Sequence, residues 1–421
     1  MWHFLYRSLA WAIPFIGVLN LLRRSWREPA YRLRITERFG QVDPNMVSDP
    51  VWIHAVSAGE VIAAESLIKQ FLKTKPTHRL LITTTTPTGF DEVQRRFGAQ
   101  VAHCYAPFDA PWCVRRFLRN IRPQALVLIE TELWPTMLRL SQQFGVSIAL
   151  LNARLSDRSA RRYAMIRSLT TPMLKHIDLI AAQYDDTASR FIELGFPKTH
   201  IHVTGNVKFD LEIPDATREA IEARRRTLRN GRPCWIAAST HPGEEQIVLD
   251  AHIAARRAIP DLLLILAPRH PHRAAEITHL IETRKLQSKS LADANGNADV
   301  VLVDQMGVLL EMYGIADVAF IGGSLQGLGG HNPVEPAAFK LPMLMGPDRM
   351  NFEEICHRFN DAGCLTTVHN SEDIADALIG FMRSPSERTK QGQAAHQVVT
   401  QNRGATQRQL AILFDWLARS S

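Results

Sequence analysis

Short apolar runs separated by longer amphipathic stretches are the feature of this 421-residue sequence that most limits its fold. The runs are rich in Val, Ile and Leu and are near-continuous, which is typical of strands buried on both faces of a parallel sheet. Twelve such runs occur, at 51–56, 79–86, 101–106, 125–130, 146–151, 179–183, 201–205, 234–239, 262–268, 300–304, 318–322 and 341–345. Because helical stretches separate nearly all of them, the sequence predicts an α/β protein with doubly wound parallel sheets.

A polar, charge-rich interval between the seventh and eighth runs predicts a domain boundary. The chain is long enough for two domains of about 150 residues each. We therefore predict two Rossmann-like parallel-sheet lobes that face each other across a cleft. The predicted segments are 1–28 as a hydrophobic and basic membrane-associating segment, 29–210 as the first lobe, 211–233 as a linker, 234–383 as the second lobe, and 384–421 as C-terminal helices that pack back on the first lobe.

The positive charge is concentrated at the N-terminus. Of a net charge of +7, residues 1–40 carry +5, from seven arginines and two glutamates. A nucleic-acid binder is expected to spread its cations, whereas these lie behind an apolar stretch at 8–22, so we predict an anionic membrane surface and no nucleic acid as partner. The stretch is shorter than the roughly 20 residues of a simple span. A membrane-anchoring or interfacial helix is favoured, and a buried helix that caps the first domain is the alternative. The arginines are Arg7, Arg23, Arg24, Arg27, Arg32, Arg34 and Arg38.

The residues that follow the first strand predict a site, because ligands of open parallel sheets bind outside the carboxyl ends of the strands. Ser57 and Gly59 are small enough to let a ligand approach the backbone, and Glu60 enters the next helix. The helix dipole favours the ionised form of a carboxylate there, which suits a base at neutral pH. The alternative is that Glu60 is an ordinary first-turn acid.

Two further strand ends carry polar side chains. The fourth strand leads into Glu130-Thr-Glu-Leu-Trp-Pro135, and the seventh into Gly205-Asn-Val-Lys-Phe-Asp210. Carboxylates beside Trp134 would suit sugar hydroxyls, and Lys208 would suit an anionic donor. Cap and turn chemistry is the competing explanation.

The second lobe has the clearest candidate for anion binding. Glycines at 322–323 and a flexible loop at 327–330 precede Asn332-Pro-Val-Glu335, a helix start at which a phosphate could dock. Glu335 would bind ribose hydroxyls or complete a capping box. Arg269 follows a strand and could pair with phosphate or carboxylate, or be part of a basic surface turn. No dinucleotide fingerprint, P-loop, Cys-x-x-Cys pair or His-Glu-x-x-His occurs, which disfavours hydride transfer, NTP hydrolysis and a metal site.

Several long motifs, in this order, closely resemble the 3-deoxy-D-manno-octulosonic acid (Kdo) transferases of Gram-negative bacteria. The resemblance spans nearly the whole chain. The motifs are Glu37-Arg-Phe-Gly40, His54-Ala-Val-Ser-Ala-Gly-Glu60, Glu130-Thr-Glu-Leu-Trp-Pro135, Leu151-Asn-Ala-Arg-Leu-Ser156, Gly205-Asn-Val-Lys-Phe-Asp210, Ala267-Pro-Arg-His-Pro271 and Gly329-Gly-His-Asn-Pro-Val-Glu-Pro336.

The resemblance implies a GT-B fold and an inverting transfer of Kdo from CMP-Kdo to a lipid A precursor (lipid IVA), without a metal or other cofactor. It implies that Glu60 is the general base, that Glu130 and Lys208 support the transition state, and that Ser57 and Gly59 lie on the acceptor side. By the positive-inside tendency, the arginines that follow the apolar stretch would keep the catalytic body on the cytoplasmic side of the inner membrane. The implied donor-binding residues are Pro268, Arg269, Met306, Gly307, Val308, Asn332, Pro333, Val334 and Glu335.

Two alternatives to this function remain open at this point. One is another GT-B sugar-nucleotide enzyme, such as an epimerase or a transferase with a different donor. The other is a non-catalytic membrane-associated scaffold with degenerate nucleotide lobes. Activity with UDP-sugars would indicate the first, and lipid binding without nucleotide binding the second.

Overall fold

The computed structural model of the chain describes Tyr6 and residues 10–26, 28–294 and 297–420. It divides into two compact units, one of Met1–Asp210 with Arg403–Ser421 and one of Leu211–Asn402. Each unit contains a seven-stranded sheet in which every pairing is parallel. The prediction of an α/β fold with two parallel-sheet lobes is therefore confirmed.

The first sheet has the strand order β3-β2-β1-β4-β5-β6-β7. The order reverses between β1 and β4, which makes the carboxyl ends of these two strands the expected ligand crevice. The central strands are buried along their whole length, as their near-continuous apolar sequences predict. The strands are β1 (Val51–His54), β2 (Leu80–Thr84), β3 (Ala102–Tyr105), β4 (Ala125–Ile129), β5 (Ser147–Ala153), β6 (Leu179–Ala182) and β7 (Ile201–Val203).

Helices flank this sheet and cover its apolar faces. The described α-helices up to the end of β7 are α1 (Ile13–Ser25), α2 (Ala58–Ala63), α3 (Glu65–Thr74), α4 (Pro87–Phe97), α5 (Pro111–Ile121), α6 (Pro135–Gln143), α7 (Asp157–Met165), α8 (Arg167–Leu174) and α9 (Asp185–Glu193). Short 3-10 helices lie at Pro29–Arg32, Ile35–Phe39, Gly98–Gln100, Lys198–His200 and Val207–Phe209. Two hydrophobic clusters, centred on Trp52 and on Phe71, fill the two sides of the sheet.

The second sheet has the order β10-β11-β9-β8-β12-β13-β14, and its order reverses between β8 and β12. The five strands predicted for this lobe are all present. Two three-residue strands, β10 and β14, were not predicted. The strands are β8 (Cys234–Thr240), β9 (Leu263–Pro268), β10 (Ser288–Ser290), β11 (Val300–Leu302), β12 (Val318–Ile321), β13 (Met343–Met345) and β14 (Leu365–Thr367).

The interval predicted as a linker at 211–233 is part of the second unit. It forms α10 (Asp215–Arg224) and a π-helical turn at Arg225–Arg229. Arg224 pairs with Glu311 at 2.6 Å and Arg229 with Asp317 at 2.7 Å. The linker prediction was wrong. The charged residues of this interval suggested a solvent-exposed segment, but Arg224 and Arg229 form ion pairs within the second unit. The remaining helices are α11 (Glu244–Arg256), α12 (Ala274–Thr283), α13 (Leu309–Ile315), α14 (Val334–Ala338), α15 (Glu353–Asp361), α16 (Ser371–Arg383), α17 (Pro385–Gln401) and α18 (Ala405–Ser420), with 3-10 helices at Pro271–Arg273 and Met350–Phe352.

The two C-terminal helices belong to different units. α18 packs in the first unit, as predicted, where Leu410 and Leu413 join the cluster around Phe71. α17 packs in the second unit, so the prediction that 384–421 returns to the first lobe was wrong for 384–402. Gly392 explains the tight fit of α17, because a Cβ at this position would collide with the carbonyl oxygen of Lys340.

The N-terminal helix α1 exposes much of its apolar surface. Phe15, Leu19 and Trp26 are 71%, 68% and 84% exposed, whereas Leu21 is buried. α1 is therefore not the fully buried cap that was the alternative prediction. Among the residues that the structure describes, no helix has both the length and the apolar character needed to cross a bilayer.

The N-terminal arginines do not share one environment. Arg38 is only 4% exposed, donates to the carbonyl of Thr85 at 2.9 Å and covers the ring of Tyr105. Arg34 pairs with Glu37 at 2.7 Å. These two arginines therefore make structural contacts within the first unit. The positive surface charge of the segment comes from its other arginines. Arg7 and Arg27 lie outside the described residues.

Candidate active site

Glu60 lies at the point where the order of the first sheet reverses. It is in the first turn of α2, directly after β1, and its side chain is buried. Ser57 caps this helix and donates its hydroxyl to Oε1 of Glu60 at 3.1 Å. The backbone N–H of Val56 donates to Oε2 at 2.6 Å. The carboxylate is thus held in one orientation from both of its oxygens.

A cavity of about 280 Å³ opens on Glu60. It is formed where β1, β4 and β5 end. This agrees with the rule that ligands of open parallel sheets bind outside the carboxyl ends of the strands, which we call the strand-end rule. Its polar lining, with carboxylates, hydroxyls and a guanidinium, suits a ligand rich in hydroxyl groups. The lining residues are Glu60, Glu130, Thr131, Glu132, Arg154, Ser156 and Ser159. Gly59 lies beside Glu60, and a Cβ at this position would contact the hydroxyl oxygen of Ser57 at 3.8 Å.

The ionisation of Glu60 differs from the sequence-based expectation. Burial, together with the charges of Glu132 and Glu130, raises its pKa to about 8, and the hydrogen bonds from Val56 and Ser57 only partly oppose this. The prediction that the helix dipole keeps Glu60 ionised was therefore wrong. Desolvation and two neighbouring carboxylates outweigh one short helix. A carboxyl with a pKa near 8 can take up a proton at neutral pH and release it again, which is the behaviour needed in acid–base catalysis.

Glu130 and Lys208 form an ion pair at the edge of this cavity. The distance from Nζ of Lys208 to Oε1 of Glu130 is 2.9 Å, and both side chains are mostly buried. Glu130 has a φ of +62°, a left-handed conformation that is costly for a residue with a side chain. Such strain persists at functional sites when the surroundings fix it, and here it directs the end of β4 into the cavity.

Glu132 and Trp134 complete the loop that follows β4. The indole N–H of Trp134 donates to Oε2 of Glu132 at 2.8 Å. Burial raises the pKa of Glu132 as well. The ring of Trp134 lies edge-on to His54, whose pKa burial lowers to about 3. The structure therefore brings together the predicted residues Glu60, Glu130 and Lys208, and it adds Glu132, whose effect on Glu60 the sequence alone does not reveal.

In the second unit, Arg269 is the clearest cation for an anionic ligand. It follows Pro268, the last residue of β9, and its backbone N–H donates to the carbonyl of Thr240 at 2.9 Å. Within the described part of the chain, its guanidinium has no hydrogen-bond or ion-pair partner. Arg273, by contrast, forms ion pairs with Glu245 and Glu276, each at 2.7 Å.

The backbone N–H groups of the glycine turn after β12 already donate hydrogen bonds to a side chain of the same unit. Glu244, fully buried at the start of α11, accepts from the N–H groups of Gly323 at 2.7 Å and of Ser324 and Leu325 at 3.0 Å each. The loop at 327–330 was predicted to be flexible, but Gly329 donates to Asp348 at 2.7 Å. An internal carboxylate therefore occupies the amides of this turn, which precedes the predicted phosphate site at the helix start of Asn332.

The remaining predicted donor-side residues lie on two nearby elements of the second unit. Oδ1 of Asn332 accepts from the N–H of Val334 at 3.1 Å, and its amide donates to Glu335 at 3.1 Å. Pro333 precedes the five-residue helix α14. Met306 and Gly307 form an exposed bend before α13, with Gly307 at a φ of +89° and Val308 as the N-cap of that helix.

A histidine pair at the reversal point of the second sheet was not predicted. Nε2 of His241 lies 2.9 Å from Nε2 of His331. Burial, with nearby Arg269, lowers the pKa of both rings, that of His331 to about 4. His241 follows β8, so the strand-end rule applied to this strand would have identified it.

Comparison with known proteins assigns each half of the chain to a sequence family. Residues 33–211 match the N-terminal domain family described as 3-deoxy-D-manno-octulosonic-acid transferase (kdotransferase). Residues 240–398 match the glycosyl transferases group 1. The 3-deoxy-D-manno-octulosonic acid transferase of Haemophilus influenzae is 39% identical over 431 residues, with all of both chains covered. That of Bordetella pertussis is 33% identical, with 90% of this chain and 91% of the relative covered.

Among solved structures, UDP-GlcNAc 2-epimerase from Neisseria meningitidis has the same fold, with a TM-score of 0.61 at 14% identity, covering 87% of this chain and 100% of the epimerase. Two parallel-sheet lobes, a polar strand-end cavity and the group 1 match define a glycosyltransferase of GT-B type. Within that class, the chain belongs to the 3-deoxy-D-manno-octulosonic acid (Kdo) transferases, and it is an enzyme that transfers Kdo.

Proposed function

We propose that the enzyme transfers Kdo from CMP-Kdo to a lipid A precursor, lipid IVA, with inversion at the anomeric carbon and release of CMP. This is a step of lipopolysaccharide core biosynthesis. The observation that carries the proposal is the buried carboxyl of Glu60, which faces a polar cavity of about 280 Å³ beside the Glu130–Lys208 pair.

In this mechanism Glu60 is the general base. It accepts the proton of an acceptor hydroxyl while that oxygen attacks the anomeric carbon of Kdo from the face opposite the nucleotide. The new C–O bond forms as the bond between the anomeric carbon and the phosphate oxygen breaks, and CMP leaves with the electron pair. A single displacement of this kind inverts the configuration. The pKa of about 8 supports the role, because a base of this strength takes a proton readily near neutral pH.

We assign Glu130 and Lys208 to support of the transition state. The ammonium of Lys208 offsets negative charge that develops as CMP departs, and its effect is large in a site that excludes water. Glu130 holds the ammonium at 2.9 Å, so the cation is positioned before substrate binds. Ser57 and Gly59, which precede Glu60 at the start of α2, are assigned to the acceptor side.

The donor is assigned to the second unit. Arg269 is the leading candidate, because a guanidinium with no partner among the described residues is suited to the phosphate or the sugar carboxylate of CMP-Kdo. Asn332, Glu335 and the bend at 306–308 are assigned to the nucleoside. A CMP-sugar carries a single phosphate, so the reaction as proposed needs no divalent ion to bridge a diphosphate.

We further propose that α1 holds the enzyme at the cytoplasmic side of the inner membrane. The exposed side chains of Phe15, Leu19 and Trp26 would enter the acyl boundary, and Arg23 and Arg24 in the last turn would meet anionic headgroups. The acceptor lipid would then lie in the same surface as the enzyme.

A transfer assay tests the function. Purified enzyme is incubated with enzymatically generated CMP-Kdo and lipid IVA in the presence of EDTA, with UDP-sugars as alternative donors. We expect Kdo-lipid and CMP to form only from CMP-Kdo and to form equally with and without EDTA. Products from a UDP-sugar, or none from CMP-Kdo, would contradict the proposed donor, and loss of activity in EDTA would contradict metal independence.

A further inference from the structure

A buried glutamine of the C-terminal helix joins the ends of two strands of the first sheet. Gln409, on α18, is fully buried. Its Oε1 accepts from the backbone N–H of Asn152 at 3.0 Å, and its Nε2 donates to the carbonyl of Gly205 at 3.2 Å. Asn152 lies near the end of β5 and Gly205 follows β7. One side chain, remote in sequence, therefore fixes both strand ends.

Asn152 is held in a conformation that it would not adopt unaided. Its φ is +51°, in the left-handed region. Besides the bond from its N–H to Gln409, its carbonyl accepts from Gln183 at 2.9 Å and its Oδ1 from the N–H of Val207 at 3.3 Å. A strained conformation costs about 1–3 kcal/mol and persists only where its surroundings over-determine it. Gln409 supplies one of the three restraints.

The same helix is attached to the chain that follows β7. The carboxylate of Asp210 accepts from the N–H groups of Gly404 at 2.6 Å and Thr406 at 2.5 Å. The guanidinium of Arg408 donates to the carbonyl of Thr204 at 2.8 Å. With Gln409 on Gly205, α18 therefore contacts the segment 204–210 at three places.

This segment carries Lys208. The N–H of Val207 is held by Asn152, and the N–H of Lys208 donates to Oδ1 of Asn206 at 3.0 Å. From the 3-10 helix at Val207–Phe209 the ammonium reaches Glu130. A short series of hydrogen bonds thus connects Gln409 to the cation at the cavity edge.

We propose that Gln409 is a positioning residue for the transfer reaction, which sets the ammonium of Lys208 against Glu130 by pinning Asn152 and Gly205. The inference rests on the proposed function, because it assumes that Lys208 acts in the transition state. The hydrogen bonds of Gln409 go to Asn152 and Gly205 and not to Glu130 or Lys208, so its proposed effect is on geometry.

The test compares two leucine substitutions on one helix. Gln409→Leu removes the hydrogen bonds, and Gln407→Leu makes the same change at an exposed position. Leu413→Ala, which removes buried apolar volume from α18, serves as the control for lost stability. Lys208→Ala is measured alongside. For each variant, kcat, KM for CMP-Kdo and Tm are determined on the full chain.

We expect Gln409→Leu to lower kcat about 10- to 100-fold, because a displacement of about 1 Å can cost that much, with KM within a factor of about three. Gln407→Leu keeps the wild-type kcat, and Leu413→Ala lowers Tm but not kcat. A Gln409→Leu protein that loses no more kcat than Leu413→Ala overturns the proposal. If Gln409→Leu does not fold, Gln409→Glu, which keeps the size but not the donor to Gly205, decides on the same criteria. If Lys208→Ala is fully active, the role proposed for Lys208 is at fault instead.

Discussion

The backbone N–H of Val56 donates to Oε2 of Glu60 over 2.6 Å, and this bond joins the end of β1 to the candidate base. It stabilises the ionised carboxylate, yet the pKa remains raised to about 8 because burial and the charges of Glu132 and Glu130 outweigh it. The carboxyl is thus fixed in position and still able to change its protonation state near neutral pH.

The rate should rise with pH. A base with a pKa of about 8 is only about one-tenth ionised at pH 7, so kcat/KM should increase through pH 7–8 and level off above the pKa. Glu132→Gln removes one neighbouring negative charge and keeps an acceptor for Trp134, so the rising limb should move to lower pH and the rate at pH 6.5 should increase relative to that at pH 9. Glu193→Gln, an exposed change in α9, should leave the profile unchanged. A wild-type profile flat from pH 5 to 9 would contradict the assignment.

Glu60 should cost the protein stability at alkaline pH. Its pKa is raised in the folded protein above its usual value of 4.5, so the folded form is favoured while the group is protonated, and that advantage is lost as pH rises from about 4.5 to about 8. One pKa unit corresponds to about 1.4 kcal/mol. Glu60→Gln should therefore raise Tm by several degrees at pH 9 and by much less at pH 5. An equal change in Tm at both pH values would show that ionisation of Glu60 is not the cause.

Two neighbouring arginines of the second unit should respond differently to the same change. Arg269→Ala removes a guanidinium with no partner within the described residues, so CMP should bind about 10- to 100-fold more weakly with Tm unchanged. Arg273→Ala leaves Glu245 as an uncompensated buried charge, which costs about 3–5 kcal/mol, so Tm should fall. Isothermal titration with CMP and thermal unfolding measure both effects. Wild-type CMP affinity in Arg269→Ala would remove this residue from the donor site.

The apolar surface of α1 should bind anionic vesicles. Leu19→Asp places a charge on that surface and should weaken binding to phosphatidylglycerol vesicles about tenfold or more, since burying a leucine side chain contributes about 1.5–3 kcal/mol. Met165→Asp is the matched control, because Met165 is equally exposed on α7 of the same unit. Vesicle co-sedimentation distinguishes the two variants. Equal losses in both would show that the membrane contact does not involve α1.

The sheet architecture was predictable because buried parallel strands have near-continuous apolar sequences. All twelve predicted strands are present. β10, with the sequence Ser-Lys-Ser, and β14, with the sequence Leu-Thr-Thr, were missed because neither has a near-continuous apolar run. The amphipathic pattern of α17 and α18 identifies both as helices, but it cannot say which unit each helix covers, since either unit offers an apolar face.

The candidate site was predictable only in its position. The strand-end rule identifies Glu60, Glu130, Lys208 and Arg269. It cannot give the pKa of Glu60, because Glu132 and Glu130 are distant in sequence and only folding places their charges next to it. In the same way, Glu244 lies about 80 residues before the glycine turn whose amides bind its carboxylate, so the sequence gives no indication of this contact.

The role of Glu60 is decided by the transfer of Kdo from CMP-Kdo to a tetraacylated lipid A precursor, measured with a folded Glu60→Gln variant that still binds CMP. If Glu60 is the general base, kcat falls about 10²- to 10⁴-fold with unchanged CMP affinity, since general base catalysis contributes that much. A wild-type kcat in this variant would show that Glu60 is a helix-start residue and not the base.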